Sequence, residues 1–278
     1  MGRFKLLISL FFRFLRFYWK SQTIYDIHSP HVFEFTEKVI EDNRHFYAFT
    51  YIESFRDLLK KDERWIKIKD YGAGSKVNSS PKRQVKDVIK NSAIAPATGR
   101  KLFKIVHLYK PEILLEMGTS LGISSMYQAA AALKSDFITV EGCPETAQIA
   151  AENFEKMGVP QIELLNGPFH EVLPVLLAEI PKLDYLYLDG DHSKGASLQY
   201  FELCLAKAHS KSVFIIADIH WSAHMEEAWE EIKKHPKVAL SIDLFHFGVL
   251  FFDHRTKEKQ HYKIVPKWWK PWHLGIWK

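Results

Sequence analysis

Two glutamates and the glycines beside them carry the plainest chemistry in this chain. Leu114-Leu115-Glu116-Met117-Gly118-Thr119-Ser120-Leu121-Gly122 is an apolar run that ends in an acid, turns through glycine and opens a helix of small residues, Ile123–Ala132. Glycine lets a ligand approach the backbone, and the start of a helix offers N–H groups that have no partner within it. Ser120 stands inside that turn, among those donors. Val140-Glu141-Gly142 closes the next apolar run, and an acid about twenty residues after such a turn binds ribose hydroxyls in doubly wound proteins. An ordinary tight turn with an acid nearby by chance is the bland alternative, and the placing of Glu141 favours ligand binding over it.

The glycine spacing then discriminates between nucleotide ligands. A dinucleotide fold uses G-x-G-x-x-G and aims a helix dipole at a pyrophosphate. Here the pattern is Glu116-x-Gly118-x-x-x-Gly122. An acid before the first glycine repels phosphate and suits the ammonium of an amino-acid moiety, which favours S-adenosylmethionine over NAD. Asp70-Tyr71-Gly72-Ala73-Gly74-Ser75 resembles the same glycine turn. The Trp65–Lys69 stretch before it is too charged for a buried strand, so it reads as a loop.

These residues need a scaffold, and the pattern from Ile113 onward describes one. Apolar runs over Ile113–Met117, Phe137–Glu141, Ile162–Leu165, Tyr185–Asp189 and Val213–Asp218 alternate with amphipathic segments over Ser120–Leu133, Pro144–Met157, Phe169–Ile180, Ser197–Ala208 and Ser222–Lys234. Strands this apolar are buried on both faces, which predicts a parallel sheet between helical layers. Val238–Asp243 and Gly248–Asp253 leave no room for a crossover helix and should pair antiparallel, with His261–Val265 as a further strand. The fold class is therefore α/β, a doubly wound, Rossmann-like, mostly parallel sheet with an antiparallel C-terminal strand. Residues 1–100 lack the alternation. Phe33–Ile40, Tyr51–Leu59 and Lys82–Lys90 read as helices, so 1–100 is expected to be a helical cap on a cofactor-binding domain over 101–278.

The stretch from Ile113 to Phe252 resembles the class I S-adenosylmethionine-dependent methyltransferases, and within them the catechol/caffeoyl-type O-methyltransferase branch and its bacterial relatives. Ile113–Gly122 is similar to the first glycine motif and Thr139-Val140-Glu141-Gly142 to the ribose-binding acid. Leu165-Asn166-Gly167 is similar to the adenine-side loop, and Asp184-Tyr185-Leu186-Tyr187-Leu188-Asp189-Gly190-Asp191-His192 to the strand-four motif. Ile27-His28-Ser29-Pro30 and Asp218-Ile219-His220-Trp221-Ser222 are similar to bacterial relatives more weakly, and His28 suits a cap or packing role. The resemblance covers about half the chain and speaks to cofactor rather than acceptor. It implies that Glu116, Gly118, Ser120, Gly122, Glu141, Gly142, Gly167 and Asp189 bind S-adenosylmethionine.

Asp189 and Asp218 end neighbouring strands, where doubly wound sheets hold ligands. In the catechol-type branch, acids at these positions join an Asn to hold Mg²⁺. Ile219 stands at the Asn position here, one oxygen ligand is lost, and imidazoles such as His192 or His220 suit zinc-like ions better. Asp191, His192 or His220 could compensate, but a metal is not expected, and Asp189 and Asp218 are its candidate ligands. His192 falls where that branch carries a proton-accepting lysine, and imidazole is suited to such work; a helix-capping histidine is the alternative. His192 and Asp189 are the expected catalytic pair. His220 and His224 share helical spacing, and beside Trp221 and Trp229 they suit packing.

The composition agrees with a globular protein: 47% of the 278 residues are hydrophobic, 26% charged, and the net charge is +5. That charge sits mostly at the two ends, without the basic face of a nucleic-acid binder. Cys143 and Cys204 form no metal spacing and fit a reducing cytoplasm. Arg13 and Arg16 interrupt the apolar run of Met1–Lys20, which argues against a signal peptide or a membrane span. Lys5, Ser9, Arg13, Arg16 and Lys20 form a stripe on a helix that could lie in an anionic membrane surface, and Trp268, Trp269, Trp272 and Trp277 are residues of the same interfacial kind. Packing of both ends on the domain, or a dimer contact, is the alternative. The expected function is methyl transfer to an O or N nucleophile of a small molecule, with the chain cytoplasmic or peripheral to a membrane. The rival is a non-catalytic, membrane-associated binding protein that keeps the fold; an NAD-linked oxidoreductase is disfavoured by the glycine spacing. The oligomeric state is not encoded in any of these patterns.

Overall fold

Ile113–Met117 and Val213–Ala217 are buried at every position, and a strand of that kind needs cover on both faces. A computed structural model describes residues 3–69, 82–253 and 258–274 and shows how the cover is arranged. In chain order the elements are α1 (Arg3–Lys20), α2 (Pro30–Phe35), α3 (Tyr47–Leu59), β1 (Trp65–Lys67), β2 (Lys82–Gln84), α4 (Val85–Ser92) and α5 (Pro96–Tyr109). The alternating part follows: β3 (Ile113–Met117), α6 (Ile123–Ala131), β4 (Asp136–Glu141), α7 (Pro144–Met157), β5 (Ile162–Asn166), α8 (Phe169–Glu179), β6 (Tyr185–Leu188), α9 (Lys194–Leu205), β7 (Val213–Ala217) and α10 (Ala223–Lys234). It closes with β8 (Leu240–Asp243), β9 (Phe247–Phe251) and β10 (Gln260–Lys263).

The main sheet runs β10-β8-β9-β7-β6-β3-β4-β5. Strands β3 to β7 are parallel, and β9 lies antiparallel between β7 and β8. This is the doubly wound, mostly parallel sheet with the antiparallel closing strand that the apolar runs predict. The chain travels outward through β3, β4 and β5, then returns to place β6 against the other side of β3. The crevice opened by that reversal, at the carboxyl ends of β3 and β6, is where doubly wound sheets hold ligands.

The helices start and stop for local reasons. Pro144 begins α7 and left-handed Gly158 ends it. Ser222 caps α10 by accepting from Met225 N at 3.1 Å, and Lys233 and Lys234 complement the dipole at its other end. On one face of the sheet, α8, α9 and α10 contribute Leu173, Phe201 and Trp229 to the core. On the other, α2 and α5 contribute Phe35 and Leu102, while α3 and α4 pack Ile52 and Ile89 toward α6.

Two local expectations are corrected. Trp65–Lys67 is a strand after all, paired antiparallel with Lys82–Gln84 in a small two-stranded sheet, so the helix expected from Lys82 starts only at Val85. Charged residues are accommodated because only Ile66 of β1 is buried. The basic stripe of α1 is also split. Arg13 turns inward to pair with Glu226 of α10, beside Phe17, Phe245 and Val265, while Arg16 and Lys20 stay exposed. Burying a Phe as fully as Phe17 contributes roughly 2 kcal/mol, enough to seat the inner face of α1. Among the described residues no helix is long and apolar enough to cross a membrane. The glycine-rich Asp70–Ser75 segment lies outside the described residues.

Candidate active site

The carboxyl ends of β3 and β6 come so close that a Cβ on Gly118 would stand 2.3 Å from the carbonyl oxygen of Asp189. Gly118 also has φ +104°, a conformation that other residues rarely adopt. Glycine is thus required here by the junction of two strands. Gly122, at φ +83°, is required for another reason: its Cβ would meet the ring of Phe154 on α7 at 2.4 Å. At both positions the packing of the protein itself calls for glycine, and Gly118 lines the cavity as well. Above the junction opens a cavity of about 580 Å³, within the usual range for small-molecule sites.

Glu141, at the end of β4, stands on one wall of this cavity. Its carboxylate accepts from the backbone N–H of Ser120 and of Cys143, both at 2.8 Å. Its own carbonyl accepts from Asn166 Nδ2 at 2.7 Å and Gly167 N at 3.0 Å, so the loop after β5 holds the acid in place. Gly118, Ser120, Gly142 and Asp189 line the same cavity. Gly122 and Gly167 do not line it.

Glu116 is the clearest departure from expectation. It is fully buried beneath the turn and is not among the lining residues. Gln128 Nε2 donates to it at 2.8 Å and Thr139 Oγ1 at 2.7 Å, and the Ser125 hydroxyl donates as well. Burial raises its carboxyl above the usual range while these bonds oppose the rise. Glu116 is thus hydrogen-bonded within the core beneath the turn.

At the far wall three titratable side chains meet. His192 Nε2 lies 3.9 Å from Asp189 Oδ1 and 3.7 Å from Asp218 Oδ2. Each of the three offers an atom that could ligate a metal, all within 4.8 Å of one another. Tyr187 donates its hydroxyl to Asp189 Oδ2 at 2.8 Å. Burial pushes the Asp189 carboxyl up to about 7; Asp218 adds to the rise, while His192 and Tyr187 oppose it. Ile219, at the position where the resemblance to the catechol-type branch implies an Asn ligand, is wholly buried in the core. Two oxygens and one imidazole nitrogen suit a manganese-, iron- or zinc-like cation better than Mg²⁺.

Ser120, Asp191 and Asp218 all line the cavity with positive φ values of 50°, 44° and 54°. Strain of this kind gathers at functional sites, where surrounding structure holds it. Trp221, His246, Phe247 and Tyr200 also line the cavity, and Arg83, Asn91 and Thr98 reach in from the first hundred residues. Of these only Trp221 stood out in the sequence. The others are brought in by β9, α9 and the cap, and no local motif marks them. His220 serves packing: it bridges Glu226 at 2.8 Å and Asp243 at 2.9 Å and stacks on Phe245. His224 and His28 are exposed and do not line the cavity.

Residues 115–219 match the family described as a methyltransferase domain. Over that stretch the chain is similar to a methyltransferase domain. The match begins one residue before Glu116 and ends one after Asp218, so it contains Glu141 and the whole acid–histidine cluster. The chain is similar to an O-methyltransferase of Aspergillus hancockii, 27% identical over 143 residues, and to a catechol O-methyltransferase of Niastella koreensis, 29% identical over 129 residues. These alignments cover 49% and 45% of this chain and 56% and 57% of the two relatives, so it spans little more than half of either. An O-methyltransferase from Bacillus cereus, solved in complex with SAH, shares the fold at TM-score 0.53 and 16% identity, over 75% of this chain and 92% of that one.

Proposed function

We propose that this methyltransferase moves a methyl group from S-adenosylmethionine to an oxygen of a small-molecule acceptor. The observation that carries the reading is one cavity with Glu141 on one wall and the Asp189–His192–Asp218 cluster on the other. The donor set fits the cofactor. Glu141 is held by two backbone N–H groups with its carboxylate at the cavity wall, as a ribose partner must be. Gly118, Ser120 and Gly142 form the floor beside it, and Asp189 stands where the cofactor and acceptor sides meet. The catechol O-methyltransferase among the relatives points to oxygen rather than nitrogen as acceptor. Residues 1–100 act as the helical cap and 101–278 as the cofactor-binding domain of a cytoplasmic enzyme.

When bound, the cofactor supplies an electrophilic methyl on a sulfonium. The chain's own task is to hold an acceptor oxygen in line with it, which accounts for most of the acceleration in transfers of this kind. His192 takes the acceptor proton at Nε2 and becomes an imidazolium between two carboxylates. Asp189, fixed by Tyr187, and Asp218, fixed by its left-handed backbone, keep that imidazole oriented.

A second reading is favoured by one observation, the mutual approach of the three potential ligand atoms. In it Asp189, His192 and Asp218 hold a borderline divalent cation that lowers the acceptor's pKa. The two readings exclude one another for His192 Nε2, which cannot both hold a metal and take a proton.

The test is calorimetric titration with S-adenosylhomocysteine, joined to mass spectrometry of a panel of phenols and other hydroxyl compounds incubated with S-adenosylmethionine. Micromolar binding, about −8 kcal/mol, and products heavier by one methylene are expected. Folded protein that binds NAD, or neither ligand, would remove the reading.

A further inference from the structure

α1 is docked by one side only. Phe17 is buried against Phe245 and Val265, Phe14 packs edge-on to Phe245 and Trp269, and Arg13 pairs with Glu226. The opposite side carries Phe11 at 57% exposure, Phe12 at 61% and Trp19 at 76%, with Leu7 and Ile8 also exposed. Trp268, 70% exposed, and Trp272 extend this surface, because Tyr18 stands against the ring of Trp272 and donates its hydroxyl to Trp269 O at 2.6 Å. An array of large apolar side chains this extensive marks a contact site on an ordinary domain surface.

Charge identifies the occupant. α1 contains five basic residues and no acid, and Lys267–Lys278 contains no acid either. Arg16 and Lys20 flank the apolar face and are exposed. The nearest acid of α10, Glu226, is already engaged by Arg13 and His220. A two-fold dimer would bring this patch against its own copy, cation facing cation. Apolar side chains bordered by indoles and flanked by cations match an anionic bilayer surface instead, with hydrocarbon for Phe11 and Phe12 and a headgroup layer for Trp19, Trp268 and Trp272.

We propose that the outward face of α1, continued by Trp268 and Trp272, docks this protein on an anionic lipid bilayer. The surface is built at the carboxyl end of the sheet, beside β8 and β10, which is the end that carries the cavity. The docking does not depend on methyl transfer.

The test uses the full chain and sedimentation with vesicles of phosphatidylcholine alone or mixed with phosphatidylglycerol. Expected is binding to the mixed vesicles that weakens as salt rises. Phe11→Asp with Phe12→Asp should abolish it. Arg16→Gln with Lys20→Gln should weaken it about thirtyfold, two cations' share of surface attraction. Val175→Asp, an exposed apolar residue elsewhere, should change nothing. Circular dichroism and S-adenosylhomocysteine binding on the same samples show that each variant is folded and that cofactor affinity is untouched. Failure of wild-type protein to sediment with mixed vesicles at low salt overturns the proposal. So does a solution dimer dispersed by the Phe11/Phe12 variant without vesicle binding, which would assign the face to a second copy.

Discussion

The Tyr187 hydroxyl donates to Asp189 Oδ2 at 2.8 Å across the end of a single strand. Tyr187 is buried in the sheet, so the strand itself supplies the group that orients its terminal acid. Tyr187→Phe keeps the ring and removes the bond. Because that bond opposes the rise of Asp189, its loss should push the carboxyl higher still. Methyl transfer should fall about tenfold, the worth of one hydrogen bond to a charged group. S-Adenosylhomocysteine affinity should hold, since Glu141 is untouched. Single-turnover rates beside calorimetry separate the two effects, and a variant with normal rates would show that Asp189 needs no such partner.

The two glutamates near the glycine turn should respond oppositely to substitution. Glu141→Ala removes a wall of the cavity and should weaken S-adenosylhomocysteine by about 1–3 kcal/mol with little change in the urea midpoint. Glu116→Ala removes the shared acceptor of the Ser125 and Thr139 hydroxyls and the Gln128 amide, leaving Gln128 only Ser124 O and Thr139 only Thr119 Oγ1. It should cost about 3 kcal/mol of stability or more, while the fraction that folds still binds cofactor. If Glu116→Ala were as stable as wild type yet blind to cofactor, the buried carboxylate would have to be a ligand.

Acid should unfold the protein partly through Asp243 and Asp184. Burial alone would raise Asp243, but hydrogen bonds from His220 and Lys263 hold its carboxyl below the usual range. At Asp184, burial is likewise outweighed by the Ile113 amide, His209 and Lys182. A carboxyl with a depressed folded pKa contributes stability that is whole above its unfolded value and is lost as pH falls through the folded one. Denaturation midpoints should therefore drop steeply below about pH 4. Asp243→Asn should be less stable near neutrality and show a shallower acid limb. An unchanged acid limb would mean that other carboxylates govern it.

The parallel core was legible because its chemistry is local. Ile113–Met117 reads as a buried strand from its own five residues, and Glu141 follows from counting forward. Pro144 and Gly158 bound α7 as the sequence alone predicts. What escaped was whatever depends on distant partners. Glu116 looked like a ligand because its neighbours Ser125, Gln128 and Thr139 are 9 to 23 residues away and reach it only through the fold. Arg13 belonged to a plausible basic stripe until Glu226, 213 residues later, drew it inward. His246 and Arg83 entered the cavity by topology, with no pattern around either to mark it.

His192 decides between the two readings of the site, and its position allows a clean separation. As a base it would accept a proton at Nε2, the atom that lies 3.7 to 3.9 Å from both carboxylates. As a ligand it would offer the same atom to a cation. His192→Gln abolishes the base but keeps an amide in the loop. If His192 is the base, turnover should fall about 10²–10⁴-fold with S-adenosylhomocysteine affinity intact, and prolonged EDTA treatment should leave wild-type turnover unchanged. Asp218→Asn should then cost less than His192→Gln, because it only trims the charge around the imidazolium. If a cation is held instead, EDTA should abolish turnover, manganese, iron or zinc should restore it better than magnesium, and Asp218→Asn should be as harmful as His192→Gln. Ile219, next to Asp218, is buried in the core and offers the cluster no oxygen, so it adds no ligand to the three atoms already there. A base relieved of competition from a metal must then carry the proton step alone, so the loss at His192 should lie toward the upper end of that range.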